Sequence, residues 1–202
     1  MVHKTRSTNP IKVFFTSSSK AIARKPQFYE ALIHTIVEQN AVITYDGIHE
    51  AIEYLGAGKR NLSVQEWAQI YSNIVKAITA SELVIIENSI PSFGTGFATA
   101  KALETKKPTL LILRAPGIET FSKGLASGIK HPLLTKVIIN TEQEAHNAIK
   151  TFIKKQQTTK TNKSVHLRLS DLELAGLKKL SVQTGISVNT LIRKAIAQLI
   201  QE

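Results

Sequence analysis

The chain predicts an α/β protein: a parallel sheet wrapped by helices, followed by a small strand–helix–helix unit. Three observations carry this. Strand-sized apolar or β-branched runs alternate with stretches of helical spacing over the first three quarters of the chain. Those runs are apolar on both faces, as strands covered from two sides must be. Residues 156–163 (QQTTKTNK) contain no apolar side chain and separate that region from a short, differently patterned one. The expected layout is an α/β domain over 11–155, a linker over 156–163 and a second unit over 164–202.

Taken in order, strands are predicted at 11–16 (IKVFFT), 41–45 (AVITY), 83–87 (LVIIE), 108–113 (PTLLIL) and 136–140 (KVIIN). Helical spacing runs over 26–39 through Phe28, Leu32, Ile33 and Ile36. It recurs over 63–80 through Trp67, Ile70, Ile74 and Ile78, opened by the capping box Ser63-Val64-Gln65-Glu66. A further helix is expected to begin near Phe97. A second capping box, Thr141-Glu142-Gln143-Glu144, opens a helix to about residue 155.

Composition narrows the function classes. The 202 residues include 26 Lys+Arg and 15 Asp+Glu, for a net charge of +11. Residues 1–149 carry +4 of it and residues 150–202 carry +7, so the last quarter is the strongly basic part. A polyanion is the expected partner. With no cysteine there is no disulfide, no thiolate metal site and no thiol nucleophile. The longest apolar runs are strand-sized and no secretory h-region opens the chain, so a cytoplasmic protein without membrane contact is expected. His49, His131 and His146 lack metal-ligand spacing, and no metal or cofactor is expected.

In open α/β sheets, ligands sit beyond the carboxyl ends of the strands. After the first strand come Thr16, Ser17, Ser18, Ser19 and Lys20, whose hydroxyls and amides suit an anion. After the third come Ser92, Gly94 and Gly96, glycines that admit a ligand near the backbone ahead of a helix N-terminus. Asp46 and Glu50 follow the second strand, Glu87 ends the third, and residues 115–132 form a long loop with Ser122, Lys123 and Gly124. Ordinary βα turns are the competing reading, because Ser and Gly are common in them.

Residues 81–103 (SELVIIENSIPSFGTGFATAKAL) resemble the nucleoside 2-deoxyribosyltransferase superfamily, and most closely its 2′-deoxynucleoside 5′-monophosphate N-glycosidase branch. The opening VFFTSSSKA is similar to that branch's phosphate loop. The resemblance implies a Rossmann-like domain and a nucleotide or sugar-phosphate ligand, with Ser18, Ser19 and Ser92 as phosphate contacts. It also exposes a departure. The family's nucleophilic glutamate would follow Phe97, where this chain has Ala98, and the expected acidic partner falls at Ile74. Alanine has no carboxylate with which to attack an anomeric carbon. A pocket without catalytic residues is therefore expected.

The second unit is dense in signal. Residues 164–169 (SVHLRL) alternate, with Val165, Leu167 and Leu169 on one face and Ser164, His166 and Arg168 on the other. A capping box, Ser170 to Glu173, opens a helix ending at Gly185, and Ser187 caps another. A unit this small cannot bury enough surface alone, and its single strand lacks a ladder partner. Two copies paired strand to strand solve both problems. The unit resembles the ribbon-helix-helix (MetJ/Arc-type) DNA-binding family across 164–201. That resemblance implies a homodimer, with a tetramer as an extension, on double-stranded DNA. By position, Ser164, His166 and Arg168 would meet base edges in the major groove, and the amides around Ser187, Val188 and Asn189 would hold a phosphate.

The expectation is a transcriptional regulator of the repressor type with a ligand-sensing domain. Two alternatives remain: an N-glycosidase or deoxyribosyltransferase with a nucleic-acid-binding tail, and an antitoxin-like interaction protein.

Overall fold

A computed structural model describes residues 9–56, 62–115, 128–161 and 169–199. The five strands form one parallel sheet: β1 (Ile11–Ser17), β2 (Ala41–Ile43), β3 (Leu83–Glu87), β4 (Thr109–Arg114) and β5 (Leu134–Ile139). Its order is β2-β1-β3-β4-β5. The three central strands are apolar almost throughout; β3 is buried at every residue.

Period-two alternation splits the core into two layers. Val13, Phe15, Leu83, Ile85, Leu110 and Ile112 face one side. There they meet α1 (Ser19–Arg24), α2 (Pro26–Val37), α3 (Gly47–Gly56) and α6 (Glu142–Thr161). Phe14, Val84, Ile86, Leu111 and Leu113 face the other side. That side is covered by α4 (Val64–Ala80) and α5 (Phe93–Glu104). Both buried layers are large, so the α/β unit has a core of its own.

The helices start where side chains cap them. Ser63 and Glu66 form the reciprocal box at α4, as the sequence predicts. Ser92 does the same with Thr95, which starts α5 at Phe93, a turn earlier than expected. The pattern missed it because Thr at the third position replaces the usual Glu or Gln. Two helices, α1 and α3, were not predicted. Ser18 caps the six-residue α1, and Pro26 at the first position of α2 separates the pair. The sheet partner β2 stops at Ile43, short of the expected Tyr45. Asp46 then accepts from the His49 amide at 3.4 Å, turning the chain into α3.

The chain divides into two compact units, Met1–Thr161 and Asn162–Glu202. The stretch expected to be a linker is helical as far as Thr161, because α6 continues through it. Glutamine is a good helix former, and the Gln157 side chain donates to the Gln39 carbonyl at 2.7 Å, tying this last part of α6 to the α/β core.

In the second unit, α7 (Asp171–Thr184) and α8 (Val188–Leu199) are joined at Gly185, whose φ of 66° is the left-handed helix cap. Ser170 and Glu173 cap α7 reciprocally, and Ser187 accepts from the Thr190 amide at 3.3 Å. The alternating residues 164–168 lie outside the described residues.

Candidate functional site

Strand parity builds the site. Ser17, Glu87 and Arg114 are the last residues of β1, β3 and β4. Each continues the alternation that buries Phe15, Ile85 and Ile112, so all three reach the face covered by α1 and α2. Ser17 and Glu87 are register partners. The order β2-β1-β3 also makes this the switch point of the sheet, where successive connections leave in opposite directions and a crevice opens.

Glu87 is the centre of the arrangement and is fully buried. The Tyr29 hydroxyl donates to Oε2 at 2.7 Å, and Ser17 Oγ lies 3.1 Å from the same oxygen. On Oε1, the Ser89 amide donates at 3.2 Å and the Ser89 hydroxyl closes the ring. Both oxygens are therefore committed. A carboxylate is costly in an apolar interior unless donors surround it, and here they come from β1, α2 and the turn after β3. Burial, then the Glu87 charge, pushes the Tyr29 phenol far above its ordinary range, keeping it a donor.

Above this lies a cleft of about 230 Å3. Arg24, Lys25, Phe28, Ser89 and Arg114 line it, and Tyr29 and Glu87 form its floor. Lys25 pairs with Glu142 at 2.6 Å, and that lysine holds the Glu142 carboxyl below the usual range. The Arg114 guanidinium stacks 5.6 Å from the centre of the Phe28 ring. Among the described residues, no carboxylate is ion-paired with Arg24 or Arg114. The cleft therefore offers two guanidinium groups that have no carboxylate partner among the described residues, beside a tyrosine and a serine, which suits a small anion such as a phosphate ester.

The expected ligand residues divide between this cleft and other tasks. Glu87 belongs to it, and Ser17 does not line it but supports Glu87 from behind. The Ser18 hydroxyl accepts from the Ala21 amide at 3.2 Å and caps α1, on which Ser19 and Lys20 are exposed. Ser92 caps α5, and Gly94 and Gly96 lie within its first turn rather than in a loop. Asp46 pairs with His49 at 2.6 Å, and Glu50 accepts from Tyr45 at 2.5 Å, both at the start of α3. Ser122, Lys123 and Gly124 lie outside the described residues, as do Ser164, His166 and Arg168. Ser187, Val188 and Asn189 sit together at the start of α8.

Four contributors were missed: Tyr29, Ser89, Arg24 and Arg114. Arg114 was legible from parity, two residues beyond Ile112 on a strand read as ending at Leu113. Tyr29 lies beside Phe28 on the buried side of α2, where an aromatic reads as core.

Ala98, where the resemblance implies a nucleophile, is 1% exposed and packs with Phe14, Ile78, Val84 and Ala102. A carboxylate placed there would meet an apolar layer.

No protein-family model matches the chain, and no curated protein does. Among solved structures, the chain is similar to the CMP N-glycosidase BcmB of Clostridium botulinum. The identity is 19%, over 67% of this chain and 96% of that one, with a TM-score of 0.46. An overlap that loose carries no residue of the site across.

Proposed function

We propose that the chain is a homodimeric DNA-binding regulator whose α/β domain takes up a small phosphate-bearing ligand without transforming it. The carrying observation is the bare apolar surface of the second unit. No residue of α7 is buried. Leu172 and Val182 are each 85% exposed, and Leu199 is 72% exposed. A unit of about 40 residues in that condition needs a partner, and a second copy supplies matching apolar faces. Pairing two copies through residues 164–169 would also satisfy the backbone of that alternating run and turn Ser164, His166 and Arg168 outward. A two-stranded ribbon of this kind reads the major groove in known β-sheet readers.

The test is Leu172→Asp in the full chain. The substitution adds an acid to the first turn of a helix, where it is tolerated, and leaves the α/β core untouched. Sedimentation is expected to show a smaller assembly, with the association of the second unit lost, and a duplex titration a loss of DNA affinity with it. Unchanged DNA binding by the variant contradicts the reading.

The buried Glu87 beside Tyr29 favours a second reading, in which the cleft cleaves an N-glycosidic bond. Full commitment of both Glu87 oxygens counts against it. Incubation with deoxynucleoside monophosphates separates the two: no free base is expected, whereas steady release abolished by Glu87→Gln supports cleavage.

A further inference from the structure

The cleft over Glu87 carries more positive charge than one phosphate group uses. Arg24, Lys25 and Arg114 all stand at its rim. The first two follow one another in the bend between α1 and α2, and the third ends β4. The first turn of α2 adds to them, because Pro26 opens it and no side chain caps it. The positive end of a 12-residue helix dipole therefore belongs to the same rim.

One carboxylate already answers that charge. Glu142 opens α6, 117 residues along the chain from Lys25, and its Oε1 accepts from Lys25 Nζ at 2.6 Å. Lys25 first, and Arg114 with it, hold the Glu142 carboxyl below its ordinary range, so cations from two elements sense the same acid. The contact is nonetheless open to water: the Lys25 side chain is 58% exposed and that of Glu142 45%. Exposed pairs of this kind are weak. A released Glu142 stays favourably placed at the N-terminus of α6, so another acid can displace it. Glu87 offers no such exchange. Four hydrogen bonds from Ser17, Tyr29 and Ser89 fill its acceptor positions.

Size and surface narrow the ligand further. About 230 Å3 lies below the roughly 300–1,000 Å3 usual for larger organic ligands. Among the described lining residues the aromatic rings are Phe28 and Tyr29, 7% and 3% exposed, and the Arg114 guanidinium covers Phe28. A nucleobase finds no free ring there to stack on. Charge is what this cleft offers.

We propose that the cleft takes a compact ligand with two acidic groups, a diphosphate or a phosphorylated carboxylic acid, and that Glu142 holds the place of the second group until it binds. This rests on the reading of the cleft as a phosphate site. The first group lies with Arg24 and Arg114, and the second takes Lys25 from Glu142. Lys25 then distinguishes a bis-acid from a simple phosphate ester, and Glu142 sets how strongly the second group must compete.

Calorimetric titration of the full-length protein at fixed salt, with inorganic phosphate, inorganic diphosphate and phosphoglycolate as probes, tests this. At least one of the two bis-acids is expected to bind tenfold or more tighter than phosphate, and which one does so identifies the second group. Lys25→Ala is expected to remove that advantage while changing phosphate affinity less than threefold. Glu142→Gln keeps the size of the side chain, frees Lys25, and is expected to tighten the favoured bis-acid several-fold with little effect on phosphate. Bis-acids that bind no tighter than phosphate overturn the proposal. So do variants that shift all three probes by the same factor, since general charge attraction then explains the binding. Failure of the cleft reading itself looks different: phosphate does not bind, or binds equally well to Arg114→Ala, and the bis-acid site falls with it.

Discussion

Glu87 is held by four groups drawn from β1, α2 and the turn after β3, so its loss is felt at each. Tyr29→Phe removes one hydroxyl from the buried carboxylate and leaves the ring packing intact. It is expected to cost about 1.5–3 kcal/mol in urea unfolding, the range for a hydrogen bond to a charged group. Arg114→Ala should leave stability nearly unchanged and weaken phosphate-ester binding at least tenfold by calorimetry, since that guanidinium has no ion-pair partner among the described residues. Ser17 and Glu87 stand out in the sequence because polar side chains ending apolar strands are conspicuous. Tyr29 does not, because a tyrosine within a helical apolar stripe looks the same whether its hydroxyl meets water or a carboxylate.

His146 gives a pH dependence of known sign. Its Nδ1 meets the Thr35 hydroxyl at 2.5 Å, and the ring stands edge-on to Phe28. Burial, then the Lys150 charge, lowers its value below the ordinary 6.5, with Glu142 and Glu38 opposing. The unfolded chain therefore binds the proton more readily than the folded one. The stability contributed by neutral His146 is complete above pH 6.5 and is lost as pH falls through the folded value. Urea midpoints at pH 7.5 and 5.5 should differ more for the native chain than for His146→Gln.

At the scale of elements, the side-chain caps decide where helices begin. Ser92→Ala removes the acceptor for the Thr95 amide and is expected to lower stability by about 1 kcal/mol in thermal unfolding. Gly185→Ala forces a side chain into the left-handed region between α7 and α8, at a cost of about 1 kcal/mol. A concentration-dependent melt of the second unit should reveal it. The strands were legible almost residue by residue in β3, where an apolar run is bounded by polar residues. Helices α1 and α3 were not. The first is too short to display a period, and the serines that start it read equally well as an anion loop. The extension of α6 was hidden because Gln157 is anchored by a residue 118 positions away, which no local pattern reveals.

For the whole molecule, the uneven charge and the uneven covering of apolar surface point the same way. The basic last quarter carries helices with no buried side chain in α7, whereas the α/β unit covers both faces of its sheet. The parallel sheet could be read from the sequence because it rests on periodicity. The cleft could not, because it depends on which strands become neighbours. The central claim is that the second unit reads DNA as a dimer. Its most direct test is a polarisation titration, at fixed salt, of a duplex from the protein's own upstream region against a scrambled duplex, using the native chain and Arg168→Ala. The account predicts at least tenfold tighter binding of the upstream duplex by the native chain, with that preference lost in the variant. Equal affinity for the two duplexes, or a preference that survives Arg168→Ala, would contradict it.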